Sequence, residues 1–436
     1  MKSYRRLAEQ IDRIPLIDIH THTDLAHLSA RGLHDILLYH MIVSELYSAG
    51  CPDGSRLSEQ PDEAETETRL RNAIPFIKNV QYSSTFSIAK RILKDLYGVD
   101  GDITPGNWKQ ADHIIRERYK SGYADEILKK ANIVSVNTEY CRKHGLSNSK
   151  FFYSLEWAFF TRNQYGIHDA PLFELEVASS QKEPEGPIPV TVDEVLYASR
   201  RRIETVEQVD EAMEAYVSKI PFDRIVSLPT HFSTDIHYGD VTAEQMSKAL
   251  KNRKSAGEPE RDIYANYINN KYFETLERHC KKAAVSISLG AEPLKYETAS
   301  KLDADTLYAI ENLANRYTGI DFILYNGSDY QDTTLCTIIR ETQNVYAAGF
   351  WWHNFYPSTI RRVIRQRLER LPLNKWFGYF SDAYCVDWAY GKSMLIKDCF
   401  ARTLSELVDE KRLSFCDADH IARRLLYQNA KDYFKL

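Results

Sequence analysis

Eight short β-rich runs punctuate this chain, most of them followed by a long stretch with helical periodicity, and no other feature constrains the fold as much. The runs are Pro15 to His20 (PLIDIH), Asn132 to Thr138 (NIVSVNT), Phe151 to Trp157 (FFYSLEW), Arg224 to His231 (RIVSLPTH), Ala284 to Gly290 (AVSISLG), Phe322 to Asn326 (FILYN), Val345 to Phe350 (VYAAGF) and Trp376 to Asp382 (WFGYFSD). Strands alternating with helices build a parallel sheet covered by helices, and eight is the number that closes a barrel. A length of 436 residues suits one such barrel with insertions. The expected fold is therefore α/β, a (β/α)₈ TIM-type barrel with a helical insertion after the first strand. Residues 1–23 and 131–436 form the barrel in this reading, and residues 24–130, with apolar periodicity in LHDILLYHMIVSELYSAG and FSIAKRILKDLYGV, form an insertion covering its mouth. The second and third runs are joined by only YCRKHGLSNSK, too short for a crossover helix. The ending CDADHIARRLLYQNAKDYFKL puts Ile421, Leu425, Leu426 and Ala430 on one helical face, with Asp417 as the expected N-cap.

Charge and composition narrow the function. Lysine and arginine number 56 against 61 aspartates and glutamates, a net charge of -5. Phosphate neutralisation needs a basic field, so nucleic acid is not the expected partner. The charged N-terminus MKSYRRLAEQIDR lacks the apolar stretch of a signal peptide, and no uninterrupted apolar run approaches the roughly 18 residues of a membrane helix. Seven scattered cysteines form no CxxC pair, as expected of reduced thiols in the cytoplasm. GxSxG, GxxxxGK[ST] and GxGxxG are all missing, which leaves a metal-centred site as the main chemical hypothesis.

The segment LIDIHTHTD carries that hypothesis. Strand alternation points residues two apart to the same side, so His20 and His22 can face one ion at a strand's end, although two surface histidines in a turn would give the same letters. Asp382 ends the eighth run and reaches the same rim if the barrel closes; an aspartate there is by itself more often a helix N-cap, and only the pairing with His20 and His22 favours a ligand. Two nitrogens and one oxygen suit Zn²⁺, or else Mn²⁺, and leave positions open for substrate. His231 closes the fourth run and can act as ligand, as acid or base, or as a partner for a loop carbonyl. His353 follows the seventh run, and Trp351 and Trp352 beside it could present a wall for a sugar ring or pack in the core.

LIDIHTHTD as a first strand and FSDAY as an eighth resemble the amidohydrolase superfamily. LHDILLYHMIVSELYSAGCP, AVSISLGA, FILYNGS, NVYAAGFWWHN, KWFGYFSD and YQNAKDYFKL further resemble its uronate (glucuronate) isomerase branch, in order and over nearly the whole chain. The resemblance implies a (β/α)₈ barrel, one divalent metal, aldose-ketose interconversion of hexuronates and a homo-oligomer. Carried over by position, His20 and His22 match the metal-binding pair, Asp382 the strand-eight aspartate, His40 a histidine of the insertion that reaches the site, and His231 the strand-four histidine. The chain departs from the family's pattern at Met41 and Ser44, where the family has a tyrosine and an arginine. It departs again at Ser288 and Pro293, with Lys295 nearby, where the fifth strand carries a histidine and then an arginine, and at Tyr384, where the family has an arginine. Ser288, Lys295, Tyr384, Trp351, Trp352 and His353 are thus the expected substrate contacts, and Asp382, His40 and His231 the expected proton carriers. Arginine and lysine are not interchangeable in carboxylate recognition, so a related sugar is as much in view as a sugar acid. Two further readings stand beside the isomerase: a hydrolase in which the ion activates water, and a barrel that binds a sugar acid without turnover.

Overall fold

The computed structural model describes residues 2–52, 63–139, 150–155, 204–232, 239–252, 257–289, 304–351 and 355–436. The strands are β1 (Leu16–Asp18), β2 (Ile133–Glu139), β3 (Phe151–Ser154), β4 (Ile225–Phe232), β5 (Ala283–Leu289), β6 (Ile320–Asn326), β7 (Val345–Ala348) and β8 (Trp376–Phe377), and their order in the sheet is their order in the chain. The pairs β1·β2, β3·β4, β4·β5, β5·β6 and β6·β7 are all parallel. All eight expected runs thus carry a strand. The join between β2 and β3, and the loop expected from SSQKEPEGPIPV with its following helix, lie outside the described residues.

The chain divides into two compact units, residues 1–138, 349–369 and 376–436 in one, and residues 139–348 and 370–375 in the other. The first unit is organised by the helix Val386–Asp409, most of whose residues are buried. The N-terminal helix Lys2–Asp12 packs along it, with Leu7 and Ile11 enclosed and Lys397 Nζ donating to the Asp12 carbonyl. The helix Ser84–Tyr97 starts where the Ser83 hydroxyl accepts the Phe86 N–H and stops where Gly98 turns left-handed at φ 69°. Its apolar face, including Phe86, Ala89, Ile92 and Leu96, is buried, at roughly 1.5–3 kcal/mol for each large side chain. Other helices between β1 and β2 include Leu33–Leu37, His40–Ser48, Glu63–Ala73, Trp108–Lys120 and Ala124–Ala131, as the 3.6-residue periodicity of this stretch requires.

Two sequence expectations shift in detail. β8 is only two residues long, because the backbone donors that follow it are taken elsewhere. Gly378 N–H bonds to the Leu425 carbonyl, within a π-helical turn over Arg424–Gln428, and Ser381 N–H bonds to the Asp18 carboxylate. The C-terminal helix Phe415–Arg423 is capped by Ser414 rather than Asp417; Asp417 is the third residue of a reciprocal capping box, its carboxylate accepting the Ser414 N–H. Leu425, Leu426 and Ala430 are buried as expected, and the Asn429 side chain donates to the Trp376 carbonyl, which ties this end to β8.

In the second unit every residue of β5 and β6 is buried; β6 accordingly reads as a nearly continuous apolar segment, whereas β5 alternates Val285, Ile287 and Leu289 with the buried Ser286 and Ser288. The polar residues inside are paired: Ser227 and Ser286 share a 2.7 Å hydroxyl contact, and Asn344 donates to the carbonyls of Ala314, in the last turn of the helix Ala304–Arg316, and of Tyr317 and Ile320 beyond it. Among the described residues no helix is long and apolar enough to cross a membrane.

Candidate metal centre

The site grows out of the first unit. Regular pairing of β1 ends at Asp18, yet the alternation continues past it. Thr21 turns away from the two histidines and donates to the Asn137 carbonyl at 2.7 Å, and its hydroxyl also meets that of Thr23. His20 and His22 face the other way. The segment after β8 runs alongside: Asp382 N–H donates to the His20 carbonyl at 3.0 Å and His22 N–H to the Ala383 carbonyl at 2.9 Å. These bonds bring residues 360 positions apart into register.

The result is a three-donor cluster. Asp382 Oδ1 lies 3.3 Å from His20 Nε2 and 3.3 Å from His22 Nε2. His20 and Asp382 are buried and His22 keeps 26% of its side chain exposed, so one flank stays open. The ligand atoms of the three lie within 4.8 Å of one another, and among the described residues this is the one such group of histidine, cysteine and carboxylate side chains. Donors bound to one ion at about 2.0–2.1 Å in a tetrahedral arrangement lie roughly 3.4 Å apart. The two 3.3 Å edges to Asp382 therefore fit a divalent ion, and the two-nitrogen, one-oxygen set leaves room for further ligands.

Electrostatics favour the ligating form of Asp382. Burial works against an ionised Asp382, but hydrogen bonds from His20 and His22 and the positive charge of Lys392 hold its carboxyl well below the usual carboxylate range. The opposite outcome holds for Asp18, fully enclosed beneath the site, where burial pushes the carboxyl up to about 7. Its Oδ1 accepts the Ser381 N–H at 2.8 Å, so this carboxylate shapes the turn that presents Asp382.

The surroundings are aromatic. The Tyr384 ring stacks on His22 at 5.3 Å and 23°, meets His40 edge-on at 5.6 Å and remains half-exposed. His40 begins the helix His40–Ser48, lies 4.5 Å from the Tyr39 ring, and burial lowers its imidazole to about 4, so it is neutral at pH 7. Phe380 sets its ring edge to face against His20 at 5.7 Å. Trp351 is buried.

The remaining expected contacts divide differently. His231 and Ser288 belong to the second unit, where they are register partners near the ends of β4 and β5; Ser288 is buried, and the His231 side chain lies outside the description. Lys295, Pro293, Trp352 and His353 fall outside the described residues. Met41 and Ser44 lie on the helix His40–Ser48, where the Ser44 hydroxyl donates to the His40 carbonyl rather than to the metal cluster.

Sequence reasoning passed over Lys392, Tyr39, Asp18 and Phe380. The available signal was charge out of place: a lysine in the apolar helix VDWAYGKSMLI and an aspartate in the apolar strand LIDI.

No family model and no curated protein matches the chain in sequence. Solved structures do match in fold. The uronate isomerase of Thermotoga maritima aligns with a TM-score of 0.81 at 11% identity, covering 99% of this chain and 97% of its own. The glucuronate isomerase of Caulobacter crescentus gives 0.78 at 13%, over 100% and 94%. A uronate isomerase of Bacillus halodurans C-125 gives 0.70 at 14%, over 99% and 96%. At such identities what is shared is the architecture: this chain has the α/β fold of the uronate isomerase structures from end to end, in a strongly diverged sequence.

Proposed function

We propose that the protein is a metal-dependent aldose-ketose isomerase of uronate isomerase type, acting on a sugar acid or a related sugar. The observation that carries the proposal is the convergence of His20 Nε2, His22 Nε2 and Asp382 Oδ1 on one point beside an open flank. A divalent ion, Zn²⁺ on the donor set with Mn²⁺ as the alternative, supplies Lewis acidity toward the carbonyl and neighbouring hydroxyl of an open-chain sugar. The chain's residues do the rest. The Asp382 carboxylate, kept ionised, takes the proton at C2 of the aldose and delivers a proton, exchanged in part with solvent, to C1, while the O2 hydroxyl proton passes to O1. The neutral His40 imidazole donates a hydrogen bond to a sugar oxygen without bringing a second positive charge to the site. Tyr384, stacked on His22 and half-exposed, offers the sugar an aromatic face. Residues 24–130 are the insertion that delivers His40. The fold shared with uronate isomerases supports the reaction class, while Tyr384 beside the cluster, a phenol where a guanidinium would clamp a carboxylate, supports a wider choice of sugar.

The test is turnover in D₂O by the protein reconstituted with Zn²⁺ or Mn²⁺, against a panel of uronates, neutral aldoses and cyclic amides, with NMR detection. Aldose-to-ketose conversion with deuterium entering at C1 is the expected result. Hydrolysis of an amide with no sugar converted would replace the proposal by the hydrolase reading, and saturable sugar binding without turnover by the binding-protein reading. His22→Ala should lose both metal content and activity; stoichiometric metal in that variant removes His22 from the ligand set.

A further inference from the structure

Lys392 is a buried cation for which neither catalysis nor packing alone accounts. It sits on the helix Val386–Asp409 with no exposed surface. Enclosing an ammonium group is expensive, and an apolar side chain would fill the same space at less cost. Its three donors are directed at three acceptors: the Tyr39 hydroxyl at 2.9 Å, the Ser381 carbonyl, and the Asp382 carbonyl at 3.5 Å. The Phe355 ring lies 4.2 Å from the ammonium and the Tyr39 ring 5.1 Å, so aromatic faces complete its shell. The Tyr39 hydroxyl in turn donates to the Asp382 carbonyl at 2.7 Å, and its ring is stacked on Trp388 at 4.2 Å.

All of these contacts meet at one backbone position. Asp382 has φ 55°, a left-handed conformation uncommon for a residue with a side chain, though aspartate tolerates it better than most. Its N–H is held by His20, and its carbonyl receives both Tyr39 and Lys392. The preceding carbonyl, of Ser381, is held by Lys392 as well. With the peptides on both sides anchored, the direction of the Cα–Cβ bond is set, and with it the aim of Oδ1 between the two histidine nitrogens.

We propose that Lys392 and Tyr39 are positioning residues that lock the Asp382 backbone in its left-handed conformation and so aim the carboxylate ligand at the metal. The inference rests on the reading of His20, His22 and Asp382 as a metal centre. Outer groups that orient a ligand typically change metal affinity by about 10- to 100-fold. Tyr39→Phe removes one hydroxyl and keeps the ring, so it is the principal variant; Lys392→Met and the double variant accompany it. Tyr97→Phe is the control, since it deletes an equally buried phenol hydroxyl, bonded to Asp387, away from the cluster.

The readout is Co²⁺ titration of the full-length, metal-stripped protein, followed by visible absorption, with folding checked by circular dichroism. Tyr39→Phe should bind Co²⁺ at least about tenfold more weakly than wild type, with a changed d–d spectrum. Tyr97→Phe should bind as wild type does. Lys392→Met should be weaker still, and the double variant no weaker than Lys392→Met, because both groups hold the backbone of one residue, Asp382, and Tyr39 is itself held by Lys392. Tyr39→Phe binding with wild-type affinity and spectrum, or weakening no more than Tyr97→Phe, overturns the inference. Should Lys392→Met fail to fold, the Tyr39→Phe comparison decides alone. The two levels of failure are distinguishable: wild type and His22→Ala binding Co²⁺ alike would remove the metal centre itself, whereas loss in His22→Ala with none in Tyr39→Phe removes only the positioning role.

Discussion

Replacing Gly349 by alanine would press on the candidate metal centre through Phe380. Gly349 follows β7 at φ 38°, and a Cβ there would lie 2.2 Å from Cδ1 and 2.3 Å from Cε1 of Phe380, more than an ångström inside ordinary contact. The backbone has little freedom to retreat. Gly349 N–H bonds to the Phe377 carbonyl at 2.8 Å, and its own carbonyl accepts a 2.7 Å bond from the fully buried Arg367. Phe380 must therefore move, and His20 rests against its ring. Overpacking costs about 1–3 kcal/mol, and a side chain held at positive φ adds roughly 1–2 kcal/mol, for an expected loss of about 2–5 kcal/mol. Gly101→Ala supplies the control, because Gly101 also has positive φ, at 96°, but a Cβ there meets nothing within 4 Å; it should lose only the backbone share. Urea unfolding of the metal-stripped proteins measures both, with constant slope required for the comparison. Co²⁺ affinity of Gly349→Ala should also fall. If that variant loses no more stability than Gly101→Ala, the clash does not govern the position; if it is destabilised but binds Co²⁺ as wild type does, Phe380 does not support His20.

Other perturbations address the site directly. Asp382→Asn should leave a folded protein with turnover abolished and metal affinity reduced, as amide for carboxylate removes the charged ligand; near-normal turnover by kinetics would end its role as proton carrier. His40 makes stability depend on pH. Its folded value, about 4, lies below the ordinary 6.5, so between those values the unfolded chain binds a proton that the folded chain does not. This contribution is fully present above pH 6.5 and is lost as pH falls toward 4, by up to about 3 kcal/mol. Urea titrations of metal-stripped His40→Gln should show a flatter profile across that window, and an unchanged slope would refute a buried neutral imidazole.

Much of the architecture could be read from local pattern because local pattern causes it. β5 and β6 are buried along their whole length, the polar Ser286, Ser288, Asp321 and Asn326 included, and the eight runs carry eight strands in chain order. The two-residue period of extended chain placed His20 and His22 on one side with Thr21 opposed. An aspartate ending the last run pointed to the third member of the cluster. Residue types and short-range periodicity were enough for these conclusions.

The aim of those donors is a tertiary matter. β8 stops after Phe377 because Leu425 and Asp18, 47 and 363 residues from their partners Gly378 and Ser381, take the next backbone donors. Asp382 turns left-handed between His20, Tyr39 and Lys392, of which the first two stand more than 340 residues away in the chain. Lysine in an apolar helix and tyrosine beside a histidine say nothing singly; their meaning lies in which carbonyls they meet. Periodicity acts over a few residues and can choose the face a side chain points to, whereas coordination depends on tenths of an ångström between segments whose approach only the packed core determines.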